Sequence, residues 1–288
     1  IVAISTVSGG SATENGTQTE TITITENESA PTITLSTSTS SVAENSGTIV
    51  TLTVTSSQAA DEDITVTLAS SGTATDGTDY SSVNSSSLTI TTGTTTATKT
   101  FTITDNSIYE GNETIIVSIN TVSGGGAAES ETQTETITIT ENESAPTVSI
   151  DVDGATSASV YDNGSNLTLT ATSTQISDEA ITVVIGTSVG GATEGTDYAV
   201  ISDITIAAGA TTGTAIFNPT ADTVNEGSET ETVSITSVSG ADSTTSGTSS
   251  ISITINEYAL RTGTAFTEGT SASQDAIKSA ANWINLEG

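Results

Sequence analysis

The sequence predicts an all-β protein of tandem antiparallel β-sandwiches, with a short α-helical segment towards its C-terminus. Three observations carry this: a long internal repeat, a period-two alternation of apolar and hydroxyl residues, and turn residues at short intervals. Residues 1–31 (IVAISTVSGGSATENGTQTETITITENESAP) recur almost letter for letter as residues 116–146, an offset of about 115 residues, the size of one sandwich domain. A weaker third copy runs from Val233 to Glu257. Repetition on this scale points to an array of modules and away from a single active site.

The alternation is visible in Ile49-Val50-Thr51-Leu52-Thr53-Val54, Ile64-Thr65-Val66-Thr67-Leu68, Phe101-Thr102-Ile103 and Thr136-Ile137-Thr138-Ile139. A period of two puts Ile, Val, Leu and Phe on one face and Thr on the other, as a half-buried strand requires. Threonine suits the wet face because it is β-branched yet polar. Clusters of Gly, Asn, Asp and Ser separate these runs, so several strands per module follow.

The repeat sets the organisation. One complete module is expected over 30–143 and a second over 145–257, with 1–28 as the closing strands of an incomplete module. The Glu-Ser-Ala-Pro junctions at Glu28–Pro31 and Glu143–Pro146 are too short for flexible linkers, and proline fixes φ there. Successive modules are therefore expected end to end in a semi-rigid rod. An isolated hairpin is marginal in water, so 1–28 needs a cover such as a module edge or a neighbouring copy. Past Glu257 the composition changes, and 258–288 reads as the start of a different, incomplete domain. Within it Ile277, Ala280, Ala281 and Ile284 fall at helical spacing, predicting a helix at about 275–286 with Ser271 or Ser273 as N-cap and Trp283 as a packing residue.

Composition excludes several classes of function. The chain has 35 acidic residues against 3 basic ones (Lys99, Arg261 and Lys278), a formal charge of −32. Nucleic acid has no basic footprint to meet, and an anionic membrane surface is disfavoured. There is no Cys, His or Met, which removes disulfides, thiolate chemistry, zinc sites and imidazole catalysis. No apolar run is long enough to cross a bilayer and no signal peptide is visible. With Ile at position 1 and no Met, the chain is expected to be a processed product or a window onto a longer protein. Sequons at Asn27, Asn112 and Asn142 are expected by chance in so Ser/Thr-rich a chain.

Almost none of the carboxylates can find a basic partner. Scattered ones are solvated; converging ones call for a hard divalent cation. In the first module the acids gather in GTATDGTDY (residues 72–80), DNSIYEGNET (105–114) and the closing Thr138–Glu143. The second repeats these as GATEGTDY (191–198), ADTVNEGSET (221–230) and ITINE (253–257). Here the chain resembles the Calx-beta family, the sandwich module of sodium–calcium exchangers and of many bacterial surface proteins. The resemblance implies a seven-stranded, immunoglobulin-like sandwich with acidic loops gathered at one end, and a Ca2+ cofactor. Carried over by match, it implies calcium ligands at Glu44, Asp79, Asp105, Glu110, Glu113, Glu141 and Glu143 in the first module. In the second it implies Asp162, Asp197, Asp222, Glu226, Glu229 and Glu257. The family's Asp pair departs to Asn106 and Ala221; Asn can still offer a carbonyl oxygen, Ala cannot. The competing reading is that the GTDY Asp and the EGxE Glu only hold turns together. Tyr80 and Tyr198 read as core or corner residues.

The function expected is non-enzymatic and structural: a calcium-stabilised, rod-like stalk of a long surface protein, adhesive through regions outside this chain that meet a host or cell-surface receptor. Its partners would be neighbouring modules or subunits end to end, its location extracellular, on a cell or virion surface. A phage fibre or capsid decoration, and a filament in which 1–28 adds strands to a neighbour, are alternatives. A glycosidase built on carboxylate pairs is remote, since aromatics make up 3% of residues and leave no sugar platform. A regulatory sensor would imply a transporter in the same chain.

Overall fold

Strands that alternate Ile or Val with Thr bury one face only by stacking two sheets, and that is the arrangement the chain adopts. The computed structural model describes residues 1–257 apart from Glu26, Ser85, Val189, Gly190, Thr223 and Asn225. The helix predicted at 275–286, with its N-cap and Trp283, and the separate domain expected over 258–288 lie outside the described residues. The chain divides into two units: residues 1–107 with 111–142, and Ile108–Glu110 with the chain from Glu143 onward.

The first unit opens with a two-rung ladder between β1 (Val2–Ala3) and β2 (Thr19–Glu20). It continues through β3 (Thr32–Thr37), β4 (Ser41–Ala43), β5 (Ile49–Ser56), β6 (Ile64–Gly72) and β7 (Ser87–Ile90). β8 (Thr96–Thr102), β9 (Glu113–Ser123), β10 (Ala128–Glu129) and β11 (Thr134–Thr140) complete it. One sheet runs β10-β3-β5-β8 and the other β4-β11-β9-β6-β7. The second unit follows with β12 (Thr147–Val152), β13 (Ser157–Tyr161), β14 (Leu167–Ser173), β15 (Ile181–Thr187) and β16 (Ile204–Ile206). Its last strands are β17 (Thr212–Phe217), β18 (Glu229–Ser239), β19 (Thr244–Thr245) and β20 (Ser250–Asn256). Its sheets, β19-β12-β14-β17 and β13-β20-β18-β15-β16, repeat the first unit element for element. Both carry a bulge at the same place, between Thr67 and Leu68 and between Val184 and Ile185.

Among the described residues, strand sense departs from antiparallel only at the sheet edges. The sandwiches are not purely antiparallel: β3 pairs with β10 and β4 with β11 in parallel, and so do β12 with β19 and β13 with β20. Counting β3 and β4 as one strand that switches sheets midway, the first sandwich has the seven strands expected, with the two-residue β10 as an addition; the second unit does the same. The two halves of the switching strand run alongside the last hairpin, which fixes their parallel sense.

The cores follow the alternation. In the first unit Ile33, Leu52, Val66, Ile115 and Ile137 are buried, and Tyr80 meets Phe101 edge-on at 5.8 Å between ring centroids. In the second, Ile150, Leu169, Val183, Val233 and Ile253 are buried and Tyr198 stacks on Phe217 at 4.8 Å. Each fully buried aliphatic side chain contributes about 1.5–3 kcal/mol. One position breaks the rule. Glu231, on the inward face of β18, is 0% exposed; its Oε1 accepts from the Ser188 N–H (2.6 Å), the Ser188 hydroxyl (2.8 Å) and the Thr232 N–H (3.0 Å). Its Oε2 has no partner among the described residues.

The long repeat places one sequence in two settings. Val2 pairs with Glu20 and Ala3 with Thr19, the register that Val117–Glu135 and Ser118–Thr134 keep in the full sandwich. The Gln18 N–H donates to Glu14 Oε1 at 2.8 Å, as the Gln133 N–H does to Glu129 Oε1 at 2.6 Å. The local hydrogen bonds are therefore written in the hairpin itself. Burial is not: Ile22 is 69% exposed, whereas its repeat partner Ile137 is 0% exposed. The variant Ile137→Ala is expected to cost about 2–5 kcal/mol, the range for a buried large-to-small change. Ile22→Ala is expected to stay within about 0.5 kcal/mol. Urea unfolding of the two variants checks this; equal losses would mean that residues 1–25 share a core.

Candidate metal centre

The GTDY turn is built the same way in both units. The Asp79 N–H donates to Thr75 O (3.0 Å) and the Asp197 N–H to Thr193 O (2.8 Å). The Thr75 and Thr193 N–H groups donate in return to Oδ2 of Asp79 and of Asp197. The turn-holding reading is thus correct for one oxygen of each Asp, and both carboxylates are buried. Holding a turn and facing a cation are compatible, because a carboxylate has two oxygens and about four lone-pair sites. In the EG turns, Gly111 (φ 73°) and Gly227 (φ 86°) take the left-handed conformation that lets the preceding and following Glu point to the same end.

In the second unit the six acids matched by sequence come together. Asp162, Asp197, Asp222, Glu226, Glu229 and Glu257 all line one cavity of ≈ 10 Å³, beside Thr220, Gly227 and Ile255. That is about the room one small particle, a water or an ion, requires. Asp162 follows β13, Asp197 belongs to the GTDY turn, Asp222 and Glu226 lie between β17 and β18, Glu229 opens β18, and Glu257 follows β20. Oxygens of Asp197, Asp222 and Glu226 lie within 4.8 Å of one another. None of the residues that line the cavity is Lys or Arg, and among the described residues Lys99, on β8, is the one basic side chain.

In the first unit, carboxylate oxygens of Glu44 and Glu141 lie within 4.8 Å of each other, as do those of Asp79 and Glu113. Glu44 is buried in a short 3-10 turn (Glu44–Ser46), and its Oε1 accepts from the Asn106 N–H at 3.2 Å. Glu141 Oε2 accepts from the Gly111 N–H at 2.9 Å. Asp105 is exposed and belongs to neither group of described residues. Sequence reasoning also passed over Glu231, whose only signal is an acid at an inward β18 position. Tyr198 lies near it: burial first, then the charges of Glu231 and Glu194, push its phenol up to about 12.

Crowding leaves its mark on acidity. Desolvation first, then the charges of Asp197 and Asp222, raise the Glu226 carboxyl above its ordinary value. Desolvation, Asp197 and then Glu226 do the same to Glu229. An acid whose folded value is raised binds its proton more tightly folded than unfolded, so its contribution to stability is full at low pH and is lost as pH rises through the raised value. In chelator, the second sandwich is therefore expected to melt higher near pH 4.5 than at pH 7. The double variant Glu226→Gln/Glu229→Gln is expected to flatten that dependence. Calorimetry across this range reads it directly, and an unchanged slope in the variant would remove these two groups as its source.

The chain resembles the crystal structure of CBD12 from CALX1.2 at 14% identity, covering 78% of this chain and 100% of that one with a TM-score of 0.36. It resembles the Calx CBD2 domain at 10% identity, covering 46% and 94%, TM-score 0.34, and domains 4 and 5 of the S-layer protein SbsC at 15% identity, covering 78% and 96%, TM-score 0.24. No curated protein is matched. Among the described residues no helix is long and apolar enough to cross a membrane. The Calx-beta domain profile matches residues 26–143 and again 147–258, so this chain belongs to the Calx-beta family as a tandem pair of its domains.

Proposed function

We propose that the chain is a non-enzymatic structural segment, a calcium-stabilised stalk of an extracellular surface protein. The observation that carries the calcium part is the convergence of six carboxylates on one cavity of ≈ 10 Å³ with no basic side chain in its wall. The donor set fits a hard cation: all side-chain oxygens, more than one of them able to bind bidentately, with no soft sulfur or imidazole. Calcium at this centre is held by Asp162, Asp197, Asp222, Glu226, Glu229 and Glu257. It supplies charge neutralisation, and the cation-bound loops lose the freedom that mutual repulsion gives them. Six carboxylates are more than one divalent ion neutralises, so the site retains negative charge; the affinity expected is that of extracellular modules, about 10⁻⁴–10⁻³ M.

The structural part is supported by repetition, by the short proline junctions and by a surface whose charge of −32 keeps copies apart. Enzyme chemistry finds no support in the site. Its acids open on a cavity of ≈ 10 Å³, too small for a sugar ring, and the cavity has no aromatic residue in its wall. Secretion into millimolar calcium suits both the weak affinity and the absence of thiols.

Calcium titration of the full chain by calorimetry, with melting followed in parallel, tests this. Calcium at ten times its Kd is expected to stabilise the second sandwich by about 1.4 kcal/mol through linkage. Asp197→Asn/Asp222→Asn is expected to weaken binding at least tenfold without unfolding the sandwich in chelator. Identical melts in millimolar calcium and in chelator, with no binding heat, would overturn the calcium reading.

A further inference from the structure

The second unit contains a feature that its repeat partner lacks. Ile108–Glu110 belongs to that unit, and Tyr109 is 8% exposed within its core. The segment lies as a one-residue parallel bridge against Ser177. Its N–H donates to Ile176 O at 2.8 Å, and its carbonyl accepts from the Asp178 N–H at 3.3 Å. The Tyr109 hydroxyl donates to Asp242 Oδ2 at 2.9 Å. This is strand addition reduced to one rung, anchored by an aromatic side chain.

The first unit has the same socket, without a tyrosine in it. Gln58-Ala59-Ala60-Asp61-Glu62 is the repeat of Gln175-Ile176-Ser177-Asp178-Glu179, and Gly124-Gly125-Gly126 is the repeat of Gly240-Ala241-Asp242. The surrounding backbone is held alike: the Gly93 N–H donates to Ala60 O at 3.0 Å, as the Gly209 N–H does to Ser177 O at 2.8 Å. The Ala127 N–H donates to Gly124 O at 3.0 Å, as the Ser243 N–H does to Gly240 O at 3.0 Å. Between these strands of the first unit lies a groove of ≈ 590 Å³ walled by Pro31, Gln58, Ala59, Ala60, Gly125 and Gly126. Every difference in its wall is towards a smaller residue: Ala for Ile176, Ala for Ser177, Gly for Ala241, Gly for Asp242. The Ala59 carbonyl and the Asp61 N–H, counterparts of the groups that hold Tyr109, have no hydrogen-bond partner among the described residues.

We propose that this groove is a docking socket for the tyrosine-bearing Asp-to-Glu-Gly loop of another Calx-beta sandwich, taken up as Ile108–Glu110 is taken up by the second unit. The occupant is an extended Ile-Tyr-Glu segment whose backbone bridges Ala60 and whose ring lies on Gly125 and Gly126. A second copy of this chain is not the donor, because its own Tyr109 is already buried and its other equivalent loop carries Asn225 at the tyrosine position. None of the groove residues is a calcium ligand in the reading above, so the two proposals fail independently.

The test uses the full chain and a capped peptide spanning Ser107–Gly111, at high salt to screen like charge. Amide resonances of Asp61, Gly125 and Gly126 are expected to shift saturably with peptide, and at least tenfold less with a Tyr→Ala peptide. Gly126→Asp restores the carboxylate that Asp242 provides. It is expected to fold, since Asp242 itself adopts φ 49° and a Cβ at Gly126 (φ 64°) meets nothing within 4 Å. That variant is expected to tighten the tyrosine peptide by roughly tenfold or more, the effect of one charge-assisted hydrogen bond, and to leave a Tyr→Phe peptide unchanged. Shifts that are absent, or equal for the tyrosine and alanine peptides, would overturn the socket. Peptide-free self-association of the chain through the same amides would replace it with a contact between copies.

Discussion

Everything in this protein depends on burying one face of each strand between two sheets using small aliphatic side chains. Aromatics are 3% of the chain, so the cores are filled by Ile, Val and Leu, with one Tyr–Phe pair in each. Such a core tolerates little error: interiors are packed at crystal density, and each position is felt. The switch of the first strand from one sheet to the other answers the same need. It lets both sheets share one strand's apolar face and seals an edge of each against the last hairpin.

The second constraint is charge, and the fold handles it by segregation. Strand faces turned to water are mostly Thr and Ser, while acids collect in the turns after the GTDY and EG motifs. Concentrating like charges at one place costs stability that no Lys or Arg in the cavity wall repays. The raised values of Glu226 and Glu229 are the local expression of that cost. A surface that merely needed solubility would scatter its acids. Six of them around a cavity of ≈ 10 Å³ is an arrangement that a divalent cation would relieve.

The near-identical segments 1–31 and 116–146 separate local from non-local causes within a single molecule. Register, the Gln-to-Glu hydrogen bond and the turn geometry are the same in both. They therefore follow from the segment's own chemistry. Burial differs completely at Ile22 and Ile137, because it is supplied by other strands. The same logic applies to the sockets, where near-equal backbones differ in whether a tyrosine fills them.

Sequence alone determined the sandwich class, the placement of apolar residues inside at Ile33, Leu52, Ile137 and Ile253, and the motifs that bring Asp162, Asp197, Asp222, Glu226, Glu229 and Glu257 to one place. These are legible because period two and turn chemistry are short-range, and the loop acids sit at fixed distances from strand ends. Tertiary structure decided the rest. The sheet-switching strand and its parallel edges arise from pairings nearly a hundred residues apart, such as Ser41 with Thr138. Asp105 falls outside the clusters and Glu231 inside the core because the direction a side chain faces depends on which strand lies opposite. Tyr109 reads as one more loop residue until packing places it in the core of the second unit. Local spacing fixes what a segment can present; only the assembled sheets decide what it meets.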